Sequence, residues 1–133
     1  MKRVFSGLAI AAALTTLLAG CADQVGEFGH KPVYRTVTVK GDMEDLYYKL
    51  INEAPKGTVC KNILQNAYFP KRNEFSVIYG AETITGDAPF FGVYGKQVGN
   101  TVQVSYRQHE INFLSGNIYA RKIPSFIEKG NCD

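Results

Sequence analysis

The sequence predicts an α+β domain, in which an antiparallel sheet of four to six strands, connected as a meander, carries one main helix and a short C-terminal helix. Three observations predict this class. Short runs rich in β-branched and aromatic residues recur from Val33 to Arg121 and are separated by glycine, proline and asparagine. One segment, after Gly41, instead repeats its apolar residues at helical spacing. A chain of 133 residues, 45% hydrophobic and 20% charged, suits one small domain and excludes a large enzyme.

The domain is expected to begin with a strand and then the main helix. Valines alternate with polar residues over residues 33–39, a pattern typical of a strand. Asp42 is placed to cap a helix, and Pro55-Lys56-Gly57 to end it. Between them, apolar residues recur at the spacing of one helix face, and they are Met43, Leu46, Tyr47, Leu50 and Ile51.

Five further strand-like runs follow, and they lie at residues 59–68, 74–79, 81–85, 91–98 and 101–107. A loop at residues 69–73 separates the first two and indicates a hairpin, and a break at residues 86–89 precedes the fourth. The last two meet across Gly99-Asn100, which suits a primed hairpin turn because glycine tolerates a positive φ. Apolar and polar residues alternate in the last run, as expected of a sheet with one wet face.

The C-terminal region is expected to add a third hairpin and the short helix. Residues 111–114 and 118–121 are strand-like and flank Ser115-Gly116-Asn117, which contains turn residues. Ser125 and Glu128 then form the Ser-x-x-Glu signature of a capping box, and Gly130 supplies a C-terminal signal. One or two helical turns are therefore predicted to end at Gly130.

The start of the chain has the layout of a secretory signal peptide. Lys2-Arg3 is positive, and the uncharged residues that follow are rich in alanine and leucine. They end at Leu18-Ala19-Gly20-Cys21, which resembles the lipobox of bacterial lipoproteins at all four positions. The resemblance implies cleavage before Cys21 and acylation of that residue. Because Ala22 rather than aspartate follows it, the resemblance also implies delivery to the outer membrane.

The lipobox divides the chain into a signal peptide at residues 1–20, a lipidated tether at residues 21–32 and a single domain at residues 33–133. The alternatives are an ordinary secretory signal and a plain transmembrane anchor. The uncharged segment at residues 4–20 is shorter than the roughly 20 residues that a spanning helix needs. The mature protein is therefore expected to be held by its lipid, facing the periplasm, without spanning the membrane.

The cysteine count is consistent with export. The chain has 3 cysteines, and assigning Cys21 to lipid leaves Cys60 and Cys132 as an even pair in an oxidising compartment. We predict a disulfide between them. A metal site or a catalytic thiol is the alternative, but His30 and His109 form no recognised metal-ligand spacing. No cofactor is expected.

Charge and motif content bear on the class of function. Once the signal peptide is removed, 13 basic residues stand against 12 acidic ones and the net charge falls from +3 to +1, so nucleic acid is not an expected partner. No catalytic motif is visible, so an enzyme is not expected. Candidate contact residues are an apolar pair after Pro89 and a basic pair in a turn, whose simpler interpretation is a solvated turn; these are Phe90, Phe91, Lys71 and Arg72.

The expected function is that of an outer-membrane lipoprotein without catalytic activity, with a binding, accessory or structural role in the cell envelope and an envelope protein as partner. A second interpretation is a periplasmic ligand or inhibitor-type binder. Ser115-Gly116-Asn117-Ile118-Tyr119 resembles the Ser-Gly-x-x-Tyr loop of membrane-anchored lysozyme inhibitors, although the spacing of Cys60 and Cys132 departs from that family. A small hydrolase is the third interpretation.

Overall fold

The structure, a computed structural model, describes residues 28–108 and 114–133. These residues form a five-stranded antiparallel sheet and two α-helices, which confirms the predicted α+β class. The strands are β1 (Val33–Lys40), β2 (Ile63–Phe69), β3 (Glu74–Thr83), β4 (Gly86–Val98) and β5 (Thr101–Gln108). Their order in the sheet is β1-β5-β4-β3-β2. Strands β2 to β5 therefore form a meander, and β1 pairs with β5. The helices are α1 (Met43–Asn52) and α2 (Leu114–Lys129).

Helix α1 begins and packs as its sequence predicts. The side chain of Asp42 accepts a hydrogen bond from the backbone N–H of Glu44 at 2.6 Å, which satisfies one of the free donors of the first turn. The predicted apolar face turns inward: Met43, Leu46 and Leu50 are buried, and Tyr47 and Ile51 are partly buried.

The core lies between the two helices and one face of the sheet. The central strands contribute side chains that are fully buried, namely Val77, Tyr79, Phe91, Val93, Val104 and Tyr106. In the part of the chain that the structure describes, no α-helix covers the opposite face, and we call it the open face. The wet side that the alternation in residues 101–107 predicts is therefore present.

Two of the predicted hairpins are confirmed. Val98 pairs with Thr101 across Gly99-Asn100, and Gly99 has a φ of 60°. A 3-10 turn, Pro70–Arg72, joins β2 to β3 and ends at Asn73, whose φ is 56°. A second 3-10 turn, Val59–Lys61, replaces the start of the predicted strand at residues 59–68.

The predicted break at residues 86–89 is wrong. Strand β4 begins at Gly86, and the turn before it lies at residues 84–85, between Thr83 and Gly86. Pro89 sits within the strand opposite Gly80, next to a register shift between Tyr79 and Gly80. A proline has no N–H for the ladder, and a bulge is one of the places where a sheet tolerates that loss.

The predicted third hairpin, at residues 111–121, is also wrong. Helix α2 starts at Leu114 and continues through Pro124 to Lys129, so it is much longer than the expected one or two turns. The proline costs one backbone hydrogen bond, but one side of the helix is buried in the core and stabilises it by apolar burial. That side consists of Tyr119, Ile123, Phe126 and Ile127. Residues 109–113 lie outside the described residues, His109 among them.

The folded domain starts earlier than the expected boundary at Val33. Phe28–His30 form a 3-10 turn, and the Phe28 side chain is 1% exposed. The expected signal peptide, lipobox and first part of the tether, residues 1–27, lie outside the described residues. No helix in the described ranges is long and apolar enough to span a membrane.

The predicted disulfide is present. Cys60 and Cys132 are bonded, with their Cα atoms 6.4 Å apart, and both side chains are buried. The bond joins the Val59–Lys61 turn to the chain end that follows α2. It therefore fixes the C-terminus against the segment between α1 and the sheet.

Candidate functional site

The open face of the sheet contains a groove of about 410 Å³, which we call the sheet-face groove. Binding sites for small ligands commonly measure roughly 300 to 1,000 Å³, so the groove has a suitable size. Its lining combines polar and apolar surface in similar amounts and comes from the end of β2, the start of β3 and parts of β4 and β5. The lining side chains include Phe69, Glu74, Ser76, Tyr94, Lys96, Gln103, Ser105 and Arg107.

Strand register brings these residues together. In an antiparallel sheet, side chains of directly paired residues point to the same face. Ser76 pairs with Tyr94, and Tyr94 in turn pairs with Ser105. Lys96 pairs with Gln103 in the same way. The groove therefore crosses three strands, and its polar residues alternate along each strand with residues of the core.

Arg107 is the most constrained cation of the groove. Its guanidinium lies 4.9 Å from the centre of the Tyr94 ring, a cation–π contact. Its Nη1 donates a hydrogen bond to the carbonyl oxygen of Lys31. Among the described residues, its buried Nε has no hydrogen-bond partner. The cation is thus held in place by the fold.

The N-terminal turn packs beside the groove. A Cβ atom on Gly92 would lie 2.9 Å from both the Phe28 ring and the Tyr94 ring, so glycine is what lets Phe28 pack against β4. The Lys31 carbonyl that receives Arg107 belongs to the same segment. The start of the domain therefore adjoins Tyr94 and Arg107, two residues that line the groove.

The electrostatic balance of the groove is positive. Lys96 and Arg107 line it together with a single acidic residue, Glu74. Arg72 lies at its rim, with the guanidinium 5.5 Å from the centre of the Phe69 ring. Burial raises the pKa of Tyr94 to about 12, although Arg107 partly opposes that shift, so its hydroxyl is uncharged near neutral pH. Such a site can donate hydrogen bonds to an anionic or polar ligand.

The predicted contact residues divide into two groups. Arg72 is exposed at the rim of the groove, and Lys71 is exposed in the same turn. The apolar pair is not a surface feature, because Phe91 is fully buried and Phe90 packs against Tyr119 with ring centres 5.6 Å apart. These residues lie within β4 rather than after a break, so alternation turns Phe91 into the core.

A second concavity, of about 310 Å³, lies between β1 and α2. Two of its charged groups are paired with each other: Arg35 forms an ion pair with Glu128, and Tyr106 donates a hydrogen bond to the same carboxylate at 3.2 Å. Arg121 and Lys129 also line it. Burial and the nearby Glu128 raise the pKa of Tyr106. Because this concavity is smaller and Glu128 already engages its Arg35, it is the weaker candidate for ligand binding.

The Ser-Gly-x-x-Tyr string does not form an exposed loop. Residues 115–119 lie in α2, and the Tyr119 side chain is 4% exposed. Its hydroxyl donates to the carbonyl oxygen of Gly80 at 3.1 Å and accepts from the Asn62 side chain at the same distance. Tyr119 is therefore a core residue, which removes the structural basis of the resemblance to lysozyme inhibitors.

Sequence reasoning missed Tyr94, Lys96 and Arg107. The signal that points to them is the turn at Gly99-Asn100, because a two-residue turn sets the register of the strands on either side. Within the described ranges, no cluster of three or more histidine, cysteine or acidic side chains could hold a metal ion. No protein-family model matches the chain, and no curated protein or solved structure is detectably similar to it.

Proposed function

We propose that the protein is a lipoprotein anchored in the outer membrane through Cys21, facing the periplasm and without catalytic activity, which binds another envelope component through the sheet-face groove. The lipobox at Leu18-Ala19-Gly20-Cys21 supports the anchor. One observation carries the binding role: the Arg107 cation is held in an open groove by the Tyr94 ring and by the Lys31 carbonyl.

The composition of the groove supports binding rather than a purely structural role. A sheet face that serves stability alone needs no preorganised cation, because an ordinary solvated face of threonine, serine and lysine suffices. Here a guanidinium is stacked and hydrogen-bonded in a concave surface that Lys96 also lines. Preorganised donors lower the entropic cost of binding, so this arrangement favours a ligand that accepts hydrogen bonds.

The anchor is tested by Cys21→Ser, which removes the acylated thiol. The unaltered protein should fractionate with outer membranes, and its N-terminal peptide should carry the mass of acyl chains. The variant should be neither acylated nor cleaved before position 21. A variant that is still cut after Gly20 and still fractionates with the outer membrane would refute the lipid anchor.

The binding surface is tested by a photo-crosslinking amino acid at Gln103, an exposed residue that lines the groove. Tyr48 is a matched control because it is 58% exposed on α1, on the other side of the molecule. In intact cells, the Gln103 position should give an adduct with an envelope protein, lipid or glycan, and the Tyr48 position should not. Equal adducts from both positions, or none from Gln103, would contradict a role for the groove.

A further inference from the structure

We infer that the protein forms a symmetric dimer in which β1 pairs antiparallel with β1 of a second copy. Strand β1 lies at one end of the sheet order and pairs with β5 on one side. Among the described residues, no strand pairs with its other side, which we call the outer edge. Three features support the pairing: the direction of the backbone groups, the incomplete burial of two valines, and a sequence that matches itself when reversed. Neither the lipid anchor nor a ligand in the groove is needed for it.

The outer edge presents backbone groups in the geometry that a further strand requires. In a strand, the N–H and C=O groups of successive residues point alternately to the two neighbouring strands. Gly41 donates its N–H to the carbonyl oxygen of Asn100 at 2.9 Å, so Val37, an even number of residues away, also directs its groups toward β5. The N–H and C=O groups of Thr36 and Thr38 therefore point outward. Such an edge is a template for pairing with another chain.

The middle of β1 lacks the features that usually protect an edge strand. Natural sheets protect their edges with charged side chains, bulges, proline or a covering segment. The charge of Arg35 is engaged by Glu128, so it is not free to repel a second strand. Lys40 is the last residue of β1, and the irregularity between Val33 and Arg35 lies at the other end. Residues 35–39 are therefore regular and contain no unpaired charge.

The other edge strand, β2, is better covered on the helix side of the sheet. The Tyr47 ring of α1 stacks on Tyr68 with ring centres 5.2 Å apart, and its hydroxyl donates a hydrogen bond to Asn66. In β1, by contrast, Val37 and Val39 pack against the core but remain partly exposed. A strand beside β1 would complete their burial, and removal of apolar surface from water favours association.

The sequence of β1 identifies the second copy as the partner. In a two-fold pairing centred on Val37, that valine lies opposite itself, and Thr36 lies opposite Thr38 of the second copy. Arg35 lies opposite Val39. Paired residues point to the same face of an antiparallel sheet, and each of these pairs meets that condition, because the threonines lie on the open face and the other three on the helix side. Threonine pairs and pairs of β-branched residues are favourable, and no like charges are opposed.

The pairing would place the two binding grooves on one surface. The two-fold axis is perpendicular to the sheet, so the two five-stranded sheets join into one continuous sheet. Both open faces then lie on the same side, and each contains one sheet-face groove. A ligand with repeated groups could occupy both grooves, and its second binding event would be intramolecular.

The position of the axis is tested by cysteine crosslinking in the mature chain with Cys21→Ser, exported behind a conventional signal peptide. Cys60 and Cys132 are bonded to each other, so an added cysteine is the one free thiol. In the dimer, Val37→Cys places two thiols across the axis, where paired Cβ atoms lie about 4.5 to 5.5 Å apart. Mild oxidation should therefore produce a disulfide-linked dimer.

Val39→Cys is the matched control, because Val39 is also partly buried on the helix side of β1. In this register it lies about 13 Å along the strand from its own copy, which is too far for a disulfide. It should give at least about tenfold less linked dimer than Val37→Cys. Equal yields from the two variants, or no linked dimer from Val37→Cys, would overturn the inference. Urea midpoints verify that both variants are folded.

The pairing of Thr36 with Thr38 is tested by two double variants in the same mature chain. Thr36→Glu/Thr38→Glu opposes like charges in both pairs of the dimer, whereas Thr36→Lys/Thr38→Glu opposes unlike charges at the same exposed positions. Sedimentation equilibrium should give a dimer dissociation constant at least about tenfold weaker for the first variant. Equal constants would refute the register. A parent chain that stays monomeric at every concentration up to its solubility limit would refute the dimer.

Thr38→Pro separates pairing from folding. The N–H of Thr38 points outward, so proline removes no hydrogen bond to β5 and blocks a bond to the second copy. The variant should be monomeric, with circular dichroism like that of the parent chain. A folded variant that dimerises as tightly as the parent would overturn the inference. If proline prevents folding, the two double variants and the crosslinking pair decide the question.

Discussion

Loss of the Cys60–Cys132 disulfide is expected to lower the free energy of unfolding by about 4 kcal/mol. The two cysteines are 72 residues apart, and closing a loop of that size in the unfolded chain costs about this amount on the chain-entropy model. Small domains have total stabilities of about 5 to 15 kcal/mol, so the bond accounts for a large share. In a domain of about 100 residues, the same loss lowers Tm by roughly 15 to 30 °C.

The native contacts around the disulfide should persist after the disulfide is reduced. The stripe of α2 that contains Ile123 and Phe126 is buried independently of the sulfur atoms. The segment after α2 is held by a hydrogen bond from Gly130 N–H to the Phe126 carbonyl at 3.1 Å. We therefore expect the reduced protein to keep its secondary structure and to unfold at a lower denaturant concentration.

Urea unfolding followed by far-ultraviolet circular dichroism measures this effect. The oxidised protein is compared with the reduced protein and with the double variant Cys60→Ala/Cys132→Ala, which controls for effects of the reductant. With the slope expected for a domain of this size, the midpoint should fall by about 2 to 4 M urea. A loss below about 1 kcal/mol in both samples would refute the chain-entropy reasoning. A large loss in the double variant alone would assign the effect to packing of the sulfur atoms.

Three further predictions concern the sheet and its tyrosines. In Gly95→Ala, the new Cβ would overlap the Phe75 ring, which should cost about 1 to 3 kcal/mol in the urea assay, and an unchanged midpoint would contradict that packing. In Tyr119→Phe, the Gly80 carbonyl loses a buried donor at 3.1 Å, which should cost about 1 to 3 kcal/mol, and no loss would mean that another donor replaces it. Burial raises the pKa of Tyr94 to about 12, whereas an unfolded tyrosine titrates near 10, so the folded state holds more protons between these values. Stability should therefore be intact below about pH 10 and fall as the pH rises toward 12, and a midpoint that does not change over this range would contradict it.

The elements that the sequence predicted correctly are those whose signals are local. Helix α1 has a cap at Asp42 and a complete apolar face, and its start and buried face follow from these features alone; it ends at Asn52, before the stop predicted at Pro55-Lys56-Gly57. The β4–β5 hairpin depends on Gly99-Asn100, a connection with few alternative conformations. In both segments, local propensity and burial favour the same structure, so no knowledge of distant residues was needed.

The C-terminal region was predicted wrongly because local and tertiary signals conflict there. Ser115-Gly116-Asn117 and Pro124 favour turns when they are considered by themselves. The opposing signal is apolar spacing: Tyr119, Ile123, Phe126 and Ile127 fall at i, i+4, i+7 and i+8, which is one face of a helix. The free energy gained by burying that face in the core outweighs the cost of Pro124 within the helix. This burial requires the sheet, which the sequence of the segment does not reveal.

The groove was only partly predictable, and its N-terminal part shows why. With Gly99-Asn100 as a two-residue turn, Val98 faces Thr101, and counting outward along both strands puts Gly92 opposite Arg107 and Tyr94 opposite Ser105. Arg107 and Tyr94 are then diagonal neighbours on the wet face, close enough for their side chains to meet. That much follows from the turn and the alternation of β5.

What holds Arg107 in place comes from elsewhere in the chain. The Lys31 carbonyl and the Phe28 ring belong to a segment whose glycines and proline are typical of a linker, and no periodicity indicates that it packs. Its packing requires Gly92, a residue without a side chain, in the middle of β4. Neither the linker-like sequence around Phe28 nor the glycine within β4 predicts this packing by itself. The fit between the two segments becomes evident when the fold brings them together. A side chain at position 92 should displace Phe28, so Gly92→Val is expected to cost about 1 to 3 kcal/mol in the urea assay. An unchanged urea midpoint would show that the packing of Phe28 against β4 does not require glycine at this position.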